Sequence, residues 1–295
     1  MKIDILLVPY DTGHRNQRMG NGPLHLARNG MVETLEKLGH KVRVRTLETQ
    51  ETFPAEVMTA FDLYRQLADE VRKTCDAGRL PLVLSGNCGA ATGTVSGMPP
   101  QPVGIIWLDA HGDYNTPETT PSGYLDGMGL ATASGMCWRK LTGSIPHFRP
   151  VPANQIVHVG GRSFDPEEAL LMDETGVQMV TAADIAENGM RAALEPALET
   201  LGDRVKTVYL HLDLDVLDPV DTPANLFPAP GGLSVETVTE AILLVRERFT
   251  IGAMGVASYD PAIDPHQKTM QAARSLVAAA FSKRRRKKMP VFPVP

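Results

Sequence analysis

The sequence predicts an α/β protein in which a central, mostly parallel sheet of eight strands lies between two layers of helices. Short β-rich runs alternate with longer amphipathic runs along the chain, a pattern typical of repeated strand–helix–strand units. Some short runs are apolar throughout, as at Ile105 to Leu108, which indicates strands buried on both faces. The chain has 295 residues, 43% of them hydrophobic, so it is long enough to bury a large core.

The predicted elements follow one another in a regular order. Strands are predicted at residues 3–8, 41–47, 80–85, 103–109, 155–160, 177–181, 207–213 and 253–259. Helices are predicted at residues 23–38, 54–77, 166–174, 189–201, 234–248 and 267–282. Pro23 and Pro54 suit the first turn of a helix, where the missing N–H does no harm. Ser234 suits the N-cap of its helix.

Composition excludes several classes of protein. The net charge of -5 offers no basic surface for nucleic acid, and no apolar run is long enough to span a membrane. Three cysteines do not resemble a secreted disulfide framework. We therefore expect a soluble cytoplasmic protein that binds neither nucleic acid nor membrane.

The last residues differ in composition from the rest of the chain. We expect one domain over residues 1–282 and a basic, Pro-rich C-terminal tail over residues 283–295, which reads KRRRKKMPVFPVP. A solvated chain end is the simpler interpretation. The alternative is an arm that docks on another subunit or on an acidic partner.

Acid-rich clusters occupy the ends of two predicted strands. Asp109, His111 and Asp113 follow the strand at 103, and Asp213 and Asp215 end the strand at 207. Alternate residues of an extended chain point to one side, so each set can converge on one centre. Like charges are costly to bury, whereas oxygen and imidazole ligands suit divalent cations. The clusters predict a pair of metals about 3.5 Å apart; turn or cap roles are the alternative.

Ligand sites of parallel sheets lie beyond the carboxyl ends of the strands. Both acid clusters, residues 87–89 and residues 258–261 lie at such ends. Residues 115–135 are rich in Thr, Pro, Ser and Gly, and we expect a long loop there that covers the site.

The two clusters, DAHGD and DLDVLDP, resemble the metal motifs of the arginase/agmatinase ureohydrolases, and the resemblance covers nearly the whole chain. It implies a three-layer α/β/α fold, two metal ions (most often manganese), a homo-oligomer (trimer or hexamer) and hydrolysis of a guanidino group. Asp109 and Asp213 would bridge the metals, Asp113 would complete one site, and His111 and Asp215 the other. A hydroxide held between the metals would be the nucleophile, and Asp113 would orient it and relay its proton.

Two further stretches resemble the loops with which arginases grip the amino-acid end of the substrate. Residues 115–123 read NTPETTPSG and residues 161–166 read GRSFDP. The resemblance assigns Asn115 and Ser122 to the substrate's α-carboxylate and Asp165 to its α-ammonium group. It favours arginase over agmatinase, because agmatine has no α-carboxylate.

Three residues depart from the arginase pattern. Cys88 in SGNCG stands where a histidine metal ligand is expected; we expect its thiolate to bind the metal, and the alternative is a buried thiol beside a weak or empty site. Ser258 stands where arginases carry the Glu that binds the guanidinium, and Asp126 stands in place of a proton-shuttling His, which makes it a candidate catalytic residue. His211, two residues before Asp213, remains open as a side chain that supports the ligands.

These departures predict a less basic substrate than arginine. Ser258 cannot make the charge-assisted hydrogen bond that a Glu makes, and an N-hydroxyguanidine has a lower pKa and a new polar group. The best interpretation is hydrolysis of Nω-hydroxy-L-arginine to L-ornithine and hydroxyurea. The alternatives are a plain arginase, another guanidino-acid hydrolase, and a catalytically silent relative with a structural or regulatory role.

Overall fold

The computed structural model describes residues 1–49 and 53–282 of the chain. The predicted tail at 283–295 lies outside the described residues. The strands are β1 Lys2–Val8, β2 Tyr10–Asp11, β3 His14–Arg15, β4 Lys41–Thr46, β5 Leu80–Ser85, β6 Val103–Leu108, β7 Ile156–Val159, β8 Gln178–Val180, β9 Thr207–Asp213 and β10 Thr250–Ala257. The helices are α1 Gly22–Leu26, α2 Val32–Lys37, α3 Glu56–Asp76, α4 Ala90–Gly97, α5 Gly129–Ala133, α6 Arg139–Thr142, α7 Pro166–Thr175, α8 Ala182–Asn188, α9 Met190–Gly202, α10 Val235–Arg248 and α11 Lys268–Phe281.

Eight of these strands form one sheet, in the order β4-β1-β5-β10-β9-β6-β7-β8. Every neighbouring pair in it is parallel, so the predicted fold class is confirmed. The remaining strands, β2 and β3, form a two-residue antiparallel hairpin. The order brings β5, β10, β9 and β6 side by side in the middle of the sheet, although β5 is far from β10 in sequence and β9 is far from β6.

Helices cover both faces of the sheet, as predicted. Along β1 the side chains alternate: Ile3, Ile5 and Leu7 join one core cluster, and Leu6 and Val8 join the other. The first cluster includes residues from α1, α2 and α8 to α11, and the second includes residues from α3, α4, α5 and α7. The alternation of a strand, with period two, thus divides the apolar residues between two cores.

Two helix predictions need correction. The helix expected over residues 23–38 is interrupted, because Asn29 and Gly30 are not helical and Gly30 has φ 99°. A Cβ on Gly30 would lie 2.6 Å from the guanidinium carbon of Arg274, so the kink makes room for α11. Pro54 does not lie in a first helical turn, since Ala55 is the extended N-cap of α3. Pro23 does lie in the first turn of α1.

The segment 115–135 is only partly the predicted loop. Residues Asp126–Met128 form a 3-10 turn that leads into α5, and Met128 and Leu130 are buried. The amides of Leu130 and Ala131 donate to the carbonyl oxygen of Asp113 at 2.9 and 3.1 Å. The second half of the segment is therefore ordered by contacts with the strand end it covers. The short helices α4, α6 and α8 were also absent from the sequence prediction.

Within residues 1–49 and 53–282, no helix combines the length and the apolar character needed to cross a membrane.

Candidate metal centre

A cavity of about 180 Å³ opens at the carboxyl edge of the sheet. Every residue that the sequence singled out for the site lines it, except Asp109 and His211. Both side chains are buried, and each residue is only 1% exposed. The predicted convergence of the strand ends is thus confirmed as a placement, whereas the roles of the residues stay predictions.

One part of the centre, which we call the imidazole half, consists of His111, Asp109 and Asp215. Nδ1 of His111 lies 3.3 Å from Oδ2 of Asp215 and 3.6 Å from Oδ1 of Asp109. Burial favours the neutral ring, but the two carboxylates outweigh it and raise the pKa of His111 to about 12. Burial alone would raise the pKa of Asp215; the hydrogen bond and the charge of His111 lower it instead.

A second part, which we call the thiol half, consists of Cys88, His211 and Asp213. The Cys88 thiol donates to Oδ2 of Asp213 at 2.8 Å. Burial, with Asp213 beside it, raises the pKa of the thiol well above its usual value. Burial, with Asp215 and Asp109 nearby, also raises the pKa of Asp213 well above its usual value. Without a cation, this half keeps its protons.

His211 is the most enclosed histidine of the centre and is buried from solvent. Its ring stacks on Trp107 with centroids 3.7 Å apart, and its Nδ1 lies 2.9 Å from the hydroxyl of Tyr209. Burial lowers the pKa of His211 to about 3, so the ring is neutral. Its Nε2 is buried and has no hydrogen-bond partner.

Asp113 and Asp126 lie beside the thiol half. One ligand atom from each of them and the Cys88 sulfur lie within 4.8 Å of one another. Asp126 accepts hydrogen bonds from the Asn87 side chain at 2.7 Å and from the Gly89 amide at 3.2 Å. Burial outweighs these bonds and raises the pKa of Asp126 to about 7.

Asp113 has φ 50°, and its Oδ2 is buried without a hydrogen-bond partner. Burial beside Asp109 raises the pKa of Asp113 well above its usual value.

The three residues expected to bind the substrate's amino-acid end, Asn115, Ser122 and Asp165, all line the cavity. The Asn115 amide donates to Oδ2 of Asp165 at 2.9 Å, and the Asp165 amide donates to Glu168 at 3.1 Å. Ser122 is exposed on the covering loop, where its hydroxyl accepts from the Tyr124 amide at 3.2 Å. Asn115 and Asp165 are therefore in direct contact, and Ser122 lines the same cavity without touching either of them through a hydrogen bond.

Ser258 follows the end of β10 with φ 61°, a left-handed conformation that is uncommon outside glycine. Its hydroxyl lies 3.4 Å from the Cys88 sulfur, so two of the three residues that depart from the arginase pattern are in contact. The Asn225 side chain donates both to the Ser258 carbonyl oxygen and to Oδ2 of Asp215, each at 3.1 Å. Backbone strain fixed by neighbours in this way is characteristic of functional sites.

Sequence reasoning missed several side chains that hold the acids in place. The indole N–H of Trp107 donates to Oδ2 of Asp109 at 2.9 Å. The two-residue spacing of Trp107 and Asp109 on one strand face was a usable signal. Asn225, and Arg162, which donates to the Asp215 carbonyl oxygen at 2.8 Å, carried no comparable signal.

The centre suits a pair of divalent cations. Ligand atoms of Asp109, His111 and Asp215 lie within 4.8 Å of one another, and so do those of Cys88, Asp109, His211 and Asp213. Asp109 belongs to both sets, as a bridging ligand would. Unpaired buried atoms at Asp113 and His211 are costly unless something binds them.

Comparisons with known proteins agree with this geometry. Residues 1–282 match the profile described as the Arginase family. An arginase of Bacillus caldovelox is 31% identical over 297 residues, covering 96% of this chain and 98% of the relative. A crystal structure of Bacillus subtilis arginase superposes with a TM-score of 0.88 at 29% identity, covering 96% of this chain and 99% of that one. An Entamoeba histolytica arginase in complex with L-ornithine gives 0.85 at 26% identity, with coverage of 96% and 99%.

Proposed function

This chain belongs to the arginase family and is a hydrolase of amidino C–N bonds, and we propose that its substrate is an arginine-like amino acid, Nω-hydroxy-L-arginine in particular. Water would add to the guanidino carbon, the bond from that carbon to the side-chain nitrogen would break, and L-ornithine and hydroxyurea would leave. The contact between Ser258 and Cys88 is the observation that carries the choice of substrate.

Six side chains would hold two divalent metals: Cys88, Asp109, His111, Asp113, Asp213 and Asp215. Bound there, such cations supply a water that is acidic enough to act as a nucleophile near neutral pH. The thiol of Cys88 and the ring of His111 carry protons in the absence of metal, and both must lose them to become ligands. Metal binding is therefore coupled to proton release.

Proton movement during the reaction falls to Asp113. Its Oδ2 is buried and unpartnered, so it can accept a hydrogen bond from the attacking water. It would take a proton from that water and then give it to the leaving amine. Asp126 lies within the same group of ligand atoms and would provide a second carboxyl beside Asp113.

Recognition of the substrate has two parts. Asn115, Ser122 and Asp165 would hold the α-carboxylate and the α-ammonium group, which keeps the site selective for an amino acid. At the other end, Ser258 offers a neutral hydroxyl, not a carboxylate. A charged guanidinium loses a charge-assisted bond there, of about 1.5–3 kcal/mol, whereas an N-hydroxyguanidine is less basic and adds a hydroxyl that Ser258 can bond.

Hydrolysis of arginine itself is the second candidate. The chain is 31% identical to a curated arginase, and related arginase structures include one that holds L-ornithine, the amino-acid product of both reactions. The two candidates differ only in the substituent on the terminal guanidino nitrogen. The residue at position 258 faces that end of the substrate in either case.

Steady-state kinetics with both substrates tests the proposal. We expect metal-supplemented protein to show a kcat/KM at least about 10-fold higher for Nω-hydroxy-L-arginine than for L-arginine, measured by ornithine release. Ser258→Glu should shift this ratio toward arginine by about 10- to 150-fold, the equivalent of one charge-assisted bond. Ser258→Ala is the matched control and should not favour arginine. A wild-type preference for arginine would reject the substrate and leave the family assignment intact.

Other expectations remain predictions. They are manganese as the metal, a homo-oligomeric assembly, a cytoplasmic location and a single domain over residues 1–282. Elemental analysis of the purified protein distinguishes the enzyme from the catalytically silent alternative. Two metals per chain support the enzyme, and no metal supports the silent relative.

A further inference from the structure

His211 belongs to the group of ligand atoms in the thiol half, and one of its ring nitrogens has no hydrogen-bond partner. Tyr209, His211 and Asp213 alternate along β9 and therefore share one face of the strand. Ligand atoms of Cys88, Asp109, His211 and Asp213 lie within 4.8 Å of one another. Nδ1 of His211 is engaged by Tyr209, and Nε2, on the opposite edge of the ring, has no partner.

From this arrangement we propose that Nε2 of His211 binds the metal of the thiol half. The site would thereby regain, from β9, the imidazole that Cys88 does not supply from the loop after β5. The ligands of this metal would be one thiolate, one imidazole and carboxylates of Asp109, Asp113 and Asp213. The inference rests on the proposed two-metal function and adds a ligand to it.

Tyr209 is the positioning residue for this ligand. Its hydroxyl lies 2.9 Å from Nδ1 of His211 and can accept the Nδ1–H bond. That tautomer leaves the lone pair on Nε2 free to bind a cation, which is the usual arrangement of histidine ligands. Trp107 stacks on the ring at 3.7 Å and restricts its rotation.

Gly255 on β10 makes room for the pair. A Cβ at this position would lie 2.1 Å from the Tyr209 hydroxyl and 3.3 Å from Nδ1 of His211. Any larger residue would displace the tyrosine that holds the ring. The neighbouring strand is thus compatible with a Tyr–His pair only because it carries glycine here.

The donor atoms predict the selectivity of this position. The thiol half offers a sulfur and an imidazole nitrogen beside its carboxylates, which is a softer set than the imidazole half, where His111, Asp109 and Asp215 offer one nitrogen and otherwise oxygen. Softer donors favour Zn²⁺ or Co²⁺ over Mn²⁺. The two positions should therefore differ in metal preference.

Cobalt titration of full-length, metal-stripped protein tests the inference. Cobalt bound next to Cys88 gives a sulfur-to-metal charge-transfer band, so the band reports the thiol half separately from total cobalt. We expect two cobalt ions per wild-type chain, and in His211→Gln a dissociation constant for the band at least about 10-fold higher, with the other ion retained. Tyr209→Phe should weaken the same site to a smaller extent.

His25→Gln is the matched control, because Nε2 of His25 is also buried and unpartnered but belongs to none of the ligand groups among the described residues. It should leave both affinities unchanged. An unchanged band in folded His211→Gln would overturn the inference while two bound ions in wild type uphold the proposed function. Absence of bound metal in wild type would overturn both.

If His211→Gln does not fold, a crystal structure of the cobalt-loaded wild-type protein tests whether Nε2 of His211 binds the metal. A distance of about 2.1 Å between Nε2 and the metal, as in histidine–zinc sites, supports the inference. A separation beyond about 3 Å excludes a bond and overturns it.

Discussion

The two halves of the metal centre solve the same electrostatic problem in different ways. In the imidazole half, His111 lies between Asp109 and Asp215 and carries a positive charge that compensates them. In the thiol half no such cation is present among the described residues, and Cys88 and Asp213 keep their protons and share a hydrogen bond. Buried carboxylates at one sheet edge can thus be balanced by an internal cation or by protons.

This difference teaches where the centre depends most on metal. A cation that enters the imidazole half replaces the charge of His111, whereas one that enters the thiol half replaces protons on sulfur and oxygen. The thiol half also contains the unpaired Nε2 of His211. Metal binding should therefore change the protonation of the thiol half more than that of the imidazole half.

The largest effect should come from removing Asp213, a carboxylate that the two metals would share, because both halves of the centre would then lose metal. In Asp213→Asn we expect kcat to fall by at least about 1000-fold, the upper range for loss of a group that stabilises the transition state, together with loss of bound metal by elemental analysis. Asp221→Asn is the control, because Asp221 is exposed outside the centre. Retention of both metals in Asp213→Asn would contradict a shared ligand.

Replacing the thiol by imidazole should make the halves more alike. Cys88→His offers a harder donor, and we expect manganese to bind the thiol half about 10-fold more tightly. Competition with a fluorescent manganese chelator would measure this. Cys75→His, on α3 and away from the cavity, serves as the control. Equal manganese affinity in Cys88→His and wild type would show that Cys88 does not contact the metal.

Without metal, the stability of the folded protein should depend on pH, because several groups of the centre retain their protons. Asp113, Asp213 and His111 have raised pKa values in the folded protein. Above pH 6.5 the unfolded chain has released these protons and the folded chain retains them, so stability falls as pH rises. His158 and His211, whose pKa values are lowered to about 4 and about 3, oppose this trend only below their unfolded value of about 6.5.

We therefore expect the Tm of EDTA-treated protein to drop by at least about 3 °C between pH 6.5 and pH 8.5. Differential scanning calorimetry of the metal-loaded protein is the reference, and its Tm should fall less, because bound cations replace the protons. Parallel slopes for the two forms would mean that the acids are not compensated by protons in the metal-free state.

Sequence reasoning located the parts of the centre that depend on local pattern. Asp109, His111, Asp213 and Asp215 could be identified because their spacing repeats that of an extended chain at the end of a buried strand. It failed for the kink at Gly30, where space for Arg274 decides the backbone. It also missed the helical turn after residue 126, which is held by the carbonyl oxygen of Asp113.

What the sequence determined by itself was the parallel α/β architecture and the acids at its carboxyl edge, because strand burial and side-chain alternation are set by neighbours along the chain. Only the tertiary structure decided that Cys88 meets Ser258, 170 residues away, that Asn225 holds Asp215, and that one nitrogen of His211 is left unpaired. These contacts depend on the order in which β5, β10, β9 and β6 lie side by side. That order is fixed by packing of the whole sheet and its helices, and no local pattern encodes it.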